Sequence, residues 1–250
     1  TEEFGCLGVW GPNARSRLQT LVSDPAGLEA NAFAFASFKP IEIAGVTVTA
    51  FRISYMGEQG WELHFAYDDG LALWDALYAA DITPVGIESY ANSRRLEKSL
   101  RLQNADLLTE YNLIEAGLER PRVKPVDFYG REAYLAQRER EQQPAYLCTL
   151  SMTNNLDSQR VARYPLGNLP IVDPDTDAVL VDSEGRRSYT TSIAYGPSVG
   201  RNLMLAYLPC EYCQTGRTLA MEYFNERYPV RVDAVGYQPI YDPDNERPRS

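Results

Sequence analysis

The residues of this chain best placed to do chemistry lie in the run Arg52-Ile-Ser-Tyr-Met-Gly-Glu-Gln-Gly-Trp-Glu-Leu-His-Phe65. Phe51, Ile53 and Tyr55 alternate with Arg52 and Ser54. Trp61, Leu63 and Phe65 alternate with Glu62 and His64, and Gly57 and Gly60 punctuate the gap. The alternation predicts two strands joined by a turn, with Glu62 directed away from the apolar face. A carboxylate there serves either water or a polar pocket.

Other chemistry-bearing patterns are thinner. Cys210-Glu-Tyr-Cys213 is a CxxC, but only Cys6, Cys148 and the single histidine, His64, remain to complete a zinc set, so the pair reads as a loop and no metal site is assigned. One histidine also leaves little room for Ser-His-Asp or Cys-His hydrolysis. On a strand, His64 reads as structural. Asp173-Pro-Asp-Thr-Asp177 with Glu184 has the acidic spacing of a calcium loop, yet Ala178 stands where that loop needs Gly and strand-like sequence follows, so a solvated turn is expected. No Gly-rich dinucleotide fingerprint or phosphate loop is present.

Strands and helices must position these groups. Cys6 to Trp10 reads as a strand, followed by a helix with Pro12 at its first position and Leu18, Leu21 and Val22 on its apolar stripe. Ala44-Gly45 is a turn between Ile41–Ile43 and Val46–Phe51. A helix capped near Asp68 or Asp69 is expected to bury Trp74, Leu77 and Tyr78, and another is expected from about Ser89 to Leu100. After Gln142 the texture changes to short strands spaced by Asn, Asp, Gly and Pro, which predicts an all-β barrel or sandwich. The expected domains are therefore an α+β region over 1–141 and a β-barrel over 142–250.

Composition narrows the function. The 250 residues are 44% hydrophobic and 23% charged, with 24 Lys and Arg against 34 Asp and Glu, a net charge of −10. That balance disfavours nucleic acid and anionic membranes as partners. No apolar run approaches the roughly 18 residues of a membrane span, and the opening Thr1-Glu-Glu-Phe-Gly-Cys6 does not read as the basic-then-apolar pattern of a signal peptide. Four cysteines fit a reducing compartment, and a cytoplasmic or, in a eukaryote, mitochondrial-matrix location is expected. Without an initiator Met, the chain reads as a processed product or a piece of something longer.

Tyr55-Met-Gly-Glu-Gln-Gly-Trp-Glu62 resembles the Y-x-G-E-x-G-[FW]-E signature of the aminomethyltransferase family, which includes the glycine cleavage T-protein. The resemblance continues through Ser93-Arg-Arg-Leu-Glu97, Ile114-Glu-Ala-Gly-Leu118, Asp127-Phe-Tyr-Gly-Arg-Glu-Ala133, Thr190-Thr-Ser192 and the run from Ala206 through Pro209 to Gly216. Trp61-Glu-Leu63, Ala72-Leu-Trp-Asp-Ala76 and the ending from Tyr241 look most like the folate domain of dimethylglycine and sarcosine dehydrogenases. The resemblance implies an α+β fold: a partial cloverleaf of ferredoxin-like modules, then a C-terminal β-barrel, around a tetrahydrofolate site.

By that resemblance Glu62 accepts a ring N–H and an exocyclic amine from the pterin edge, a charge-assisted pair. Tyr55 supplies a flat surface or a hydroxyl beside the ring. Arg95 matches the arginine of an L-R-L-E helix, with the small residues Ala91 and Ser99 leaving its guanidinium open to a ligand. Gln103-Asn104 departs from the aromatic-Gly or Tyr-Gly of relatives, with Asp106 retained. The family's catalytic aspartate belongs to a segment upstream of Cys6, so no catalytic residue is assigned.

Three functions follow. The first is the folate-dependent part of a flavin amine dehydrogenase, forming 5,10-methylenetetrahydrofolate from an amine-derived one-carbon donor, with FAD only in an upstream domain or partner subunit. The second is a T-protein or another folate-dependent methyltransferase. The third is a non-enzymatic folate-binding protein, disfavoured because Val126-Asp-Phe-Tyr-Gly-Arg-Glu132 lacks the cysteine of that class.

Overall fold

The computed structural model describes residues 3–250. The chain forms two compact units, one running through Tyr90 and including Asp242–Ser250, the other spanning Ala91–Tyr241. The change of texture at Gln142 is therefore not where the chain divides. Leu96 and Ala116 share a buried cluster with Leu147, Leu203 and Leu205, so the segment after Tyr90 packs with the strand-rich half.

In the first unit, β1 (Phe4–Trp10), β2 (Phe38–Ile43), β3 (Val46–Phe51) and β4 (Gly60–Ala66) form an antiparallel sheet in the order β1-β4-β3-β2. Helices α1 (Ala14–Gln19) and α2 (Gly70–Ala79) cover one face. Leu18, Leu73 and Leu77 join Val9, Val48, Ala50, Trp61, Leu63 and Phe65 in one buried cluster. Each buried Leu, Val or Phe among them contributes about 1.5–3 kcal/mol. The α1 helix begins at Ala14 rather than beside Pro12.

Two expectations fail here for identifiable reasons. On α2 the buried pair is Leu73 and Leu77, whereas Trp74 and Tyr78 are 45% and 63% exposed. Both pairs have the same four-residue spacing, so periodicity alone does not choose between adjacent stripes. Second, the alternation does not run on to Tyr55. β3 stops at Phe51, and Arg52 turns inward to 1% exposure, donating to the carbonyls of Ala30 (3.3 Å), Phe33 and Arg249 (2.9 Å). Buried loop carbonyls need donors, and a guanidinium fork supplies several at once.

In the second unit, β5 (Ala145–Met152), β6 (Ile171–Val172), β7 (Thr190–Gly196), β8 (Arg201–Pro209), β9 (Thr218–Tyr223) and β10 (Glu226–Val235) form an antiparallel sheet in the order β6-β9-β10-β5-β8-β7. Its edges meet: Pro170 bridges Tyr189, and the Thr190 amide donates to the Leu169 carbonyl at 2.9 Å. Register shifts at Val232/Ala234 and Thr190/Ser192 supply the local bends that such curling requires. The result is the barrel expected from the spacing of short strands. Asp173, at the calcium-like loop, instead accepts the amides of Asp175 (2.8 Å) and Thr176 (3.3 Å) of its own turn, and the Tyr212 hydroxyl at 3.0 Å.

The helix expected over Ser89–Leu100 is broken. Ser89–Arg94 winds as a π-helical turn, α3 covers only Arg95–Glu97, and Ser99 ends it at φ +55°. A further helix, α4, covers Arg131–Arg138. Among the described residues no helix is long and apolar enough to cross a membrane.

Candidate functional site

The outer face of the first sheet carries the candidate site. Strand β1 pairs with β4 so that Cys6 lies opposite His64 and Gly8 opposite Glu62, and β3 places Phe51 on the other side of Glu62. Because Trp61, Leu63 and Phe65 are buried on the helix-covered face, Glu62 and His64 are committed to this outer one. The Glu62 side chain is 25% exposed, and its carboxylate lies 3.4 Å from His64 Nε2.

Glycine makes room for the aromatic wall beside it. A Cβ at Gly8 would lie 1.9 Å from the Trp10 ring, so the indole covers the empty position opposite Glu62. Gly60 has φ +154°, and a Cβ there would lie 2.0 Å from the Val9 carbonyl oxygen and 2.6 Å from the Trp10 ring. The indole N–H donates to the Ile53 carbonyl at 2.8 Å, which fixes its tilt. Tyr90 stacks on Trp10 at 5.3 Å, and Tyr55 meets Tyr90 at 5.6 Å. On the other flank, Phe51 contacts His64 edge-on at 4.8 Å and stacks with Phe38 at 5.2 Å.

Electrostatics tie the group together. Burial, then the Glu62 and Cys6 charges, push the Tyr90 phenol above its ordinary value. Burial and Glu62 do the same to the Cys6 thiol. Of the two glutamates in the signature run, Glu58 is 5% exposed and paired with Arg247 at 2.8 Å. Glu62 has no Arg or Lys bound to it among the described residues, so it is the one able to take donors from a ligand. The flat aromatic walls and an acceptor with spare lone pairs suit a planar heterocycle that presents N–H groups along one edge.

Tyr55 and Glu62 thus belong to the first unit, as does Trp61, which is 0% exposed and a packing residue. Arg95 belongs to the second, and the ligand role expected for it is corrected. It is 0% exposed, and its guanidinium donates to the Ala91 carbonyl (2.8 Å), the Leu100 carbonyl (3.1 Å), Asn92 (3.2 Å), Ser192 (2.6 Å) and Asp106. All five N–H groups of the fork are engaged. The small neighbours Ala91 and Ser99 do not open Arg95 to solvent.

Asp106 is the hub of that network. It accepts from Arg95, Thr191, Ser192 (2.7 Å) and the Leu102 amide (2.9 Å), which draws two of the signature segments, Ser93–Glu97 and Thr190–Ser192, into one structural core. Asn104 of the departing Gln103-Asn104 pair adopts φ +64°, a left-handed conformation that Asn adopts more readily than most residues other than Gly.

Sequence reasoning missed Trp10, Tyr90, Cys6 and His64 as neighbours of Glu62. The Gly8-x-Trp10 spacing on a strand was a usable signal for the first, since the two share a face. Nothing local marked Tyr90. A cavity of about 680 Å³ in the second unit is lined by Arg120, Arg122, Lys124, Phe128 and Tyr134 among others, with no carboxylate in its lining, so it does not fit a ring presenting N–H donors.

Comparison with known proteins places this geometry in a family. The GCVT N-terminal domain matches residues 1–122, and the glycine cleavage T-protein C-terminal barrel domain matches residues 168–242. The chain belongs to the aminomethyltransferase, or glycine cleavage T-protein, family. It is 33% identical over 238 residues to the mitochondrial dimethylglycine dehydrogenase of Homo sapiens, covering 93% of this chain and 25% of that protein. It is 30% identical over 243 residues to the aminomethyltransferase of Exiguobacterium sibiricum, covering 95% of this chain and 60% of that one. Among solved structures, the glycine cleavage system aminomethyltransferase T of Bartonella henselae matches with a TM-score of 0.70 at 24% identity, over 94% of this chain and 59% of that one. The chain thus spans about a quarter of the dehydrogenase and three fifths of the transferase.

Proposed function

We propose that this chain binds tetrahydrofolate on the outer face of its first sheet and serves one-carbon transfer, as the folate-binding part of a protein resembling dimethylglycine dehydrogenase. The observation that carries this reading is the Glu62 carboxylate, held without an Arg or Lys partner among the described residues between the Trp10 and Phe51 strands and beside the Trp10–Tyr90–Tyr55 group. Bound tetrahydrofolate supplies the amine nitrogens that take up the one-carbon unit.

The chain's own residues bind and orient. Glu62 accepts the N–H groups of the pterin edge, and the charge on the acceptor makes those bonds stronger than neutral ones. Tyr55 offers a flat amphipathic surface beside the ring, with Tyr90 and Trp10 backing it. The fixed tilt of the indole keeps that wall from collapsing when empty, which limits the ordering cost of binding. The one-carbon donor is an amine-derived small molecule, and a flavin-bearing domain or subunit is its proposed source. Support for this arrangement comes from the match to a dehydrogenase of which this chain covers 25%. A T-protein-like role acting without a dehydrogenase is favoured by the longer coverage, 60%, of a transferase.

Calorimetric titration of the folded chain with tetrahydrofolate tests the reading. Saturable binding at one site per chain is expected, and absence of binding by a folded protein would overturn it. Forming 5,10-methylenetetrahydrofolate from dimethylglycine, with and without an added flavin dehydrogenase, separates the two roles.

A further inference from the structure

We propose that Cys6, Glu62 and His64 form a three-ligand site for a zinc-type divalent cation. The three side chains project from one face of the β1–β4 ladder, where Cys6 is directly opposite His64 and Glu62 is two residues before His64 on the same strand. One ligand atom from each lies within 4.8 Å of the others. Two edges of the triangle converge on one nitrogen: Cys6 Sγ is 3.7 Å from His64 Nε2, and Glu62 Oε2 is 3.4 Å from it.

Those edges have the size that coordination requires. With metal–sulfur, metal–nitrogen and metal–oxygen bonds of about 2.3, 2.05 and 2.1 Å at the tetrahedral angle, the sulfur–nitrogen and nitrogen–oxygen separations are about 3.6 and 3.4 Å. Hydrogen bonding accounts for the arrangement less well. A single Nε2 carries either a proton or a lone pair, so it makes one well-directed hydrogen bond at most and can only share a proton weakly between Glu62 and the poor sulfur acceptor of Cys6. A cation held by all three removes that limit. Thiolate, imidazole and carboxylate together select zinc or cobalt over magnesium or calcium, and three protein ligands leave a fourth position open. Binding breaks the Cys6 S–H bond, forms a sulfur–metal bond and releases one proton to solvent.

Glu62 is also the proposed pterin acceptor, so metal and folate compete for it; this consequence rests on the folate reading. Cobalt(II) is the probe, added to metal-stripped protein under reducing conditions. A thiolate-to-cobalt charge-transfer band in the near ultraviolet is expected. Cys6→Ser should abolish it and His64→Gln should weaken cobalt affinity by roughly tenfold or more, while the double change Cys210→Ser and Cys213→Ser leaves it in place. Lack of the band, or a band that survives Cys6→Ser and disappears with the Cys210 and Cys213 changes, overturns the site. Saturating zinc should weaken tetrahydrofolate binding by about tenfold or more in the unmodified protein and not in Cys6→Ser. Simultaneous binding of zinc and folate at full affinity refutes the sharing of Glu62. Cobalt binding without folate binding in any state refutes the folate reading and leaves the metal site standing.

Discussion

Arg95 and Asp106 form an ion pair in which neither side chain has any solvent exposure. Hydroxyls from Thr191 and Ser192 and the Leu102 amide occupy the rest of the carboxylate, so the pair is satisfied as well as buried. Two charges desolvated together stay stable only while each keeps its partner.

Removing one partner should therefore be costly. Asp106→Asn and Arg95→Met are each expected to lower stability by about 3–5 kcal/mol, read from urea unfolding followed by circular dichroism. An Arg95 variant with unchanged stability and lost folate affinity would restore Arg95 to the ligand site.

Glu62→Gln keeps the shape of the side chain and removes its charge. The change is expected to weaken tetrahydrofolate binding by about 1.5–3 kcal/mol, the range for a hydrogen bond to a charged group, with a smaller change in unfolding midpoint because no Arg or Lys pairs with the carboxylate among the described residues. Calorimetry on both folded proteins measures it. Equal affinities would remove Glu62 from the binding surface.

Gly8→Ala tests how the aromatic wall is built. A Cβ 1.9 Å from the Trp10 ring forces the indole to move. The variant should lose about 1–3 kcal/mol of stability and should shift Trp10 emission, since the ring leaves its stack with Tyr90. The emission change is best read in a background with Trp61 and Trp74 replaced by Phe. Unaltered emission would mean that the ring is not seated over Gly8.

Alkaline pH supplies a fourth test. Burial and then the hydrogen bond to Glu110 raise the Tyr189 phenol to about 12, against about 10 in an unfolded chain. A raised folded-state value means that the unfolded chain loses this proton first. The stabilisation is complete below pH about 10 and is lost as pH rises through about 12. Tyr189→Phe should flatten the fall in stability across that interval, measured by urea midpoints at stepped pH. A slope identical to that of the unmodified protein would refute the assignment.

How much of this was legible beforehand varies by residue. The alternation around Trp61, Leu63 and Phe65 identified β4 and the outward direction of Glu62, because one buried face imposes a period of two. The Ala44-Gly45 turn and the short strands after Gln142 were equally visible, since turn chemistry is local. The helix face of α2 was not, because Leu73/Leu77 and Trp74/Tyr78 repeat with the same spacing and only the shape of the sheet decides which pair fits. Arg95 misled for a related reason: a signature arginine looks the same on paper whether it meets a ligand or a buried carboxylate, and Asp106 is brought to it by the chain's path rather than by spacing.

By itself, then, the sequence determined the family, the α+β and barrel classes, and the strand that carries Glu62, all of which rest on short-range periodicity and on motifs read in order. Tertiary structure alone decided which polar groups share a place. Cys6 and His64 are 58 residues apart in sequence and 3.7 Å apart in space. Arg95 and Ser192 are 97 apart and hydrogen-bonded at 2.6 Å. Such pairings depend on strand register and on which faces are buried, and those are set by the packing of the whole unit, for which no local pattern stands in.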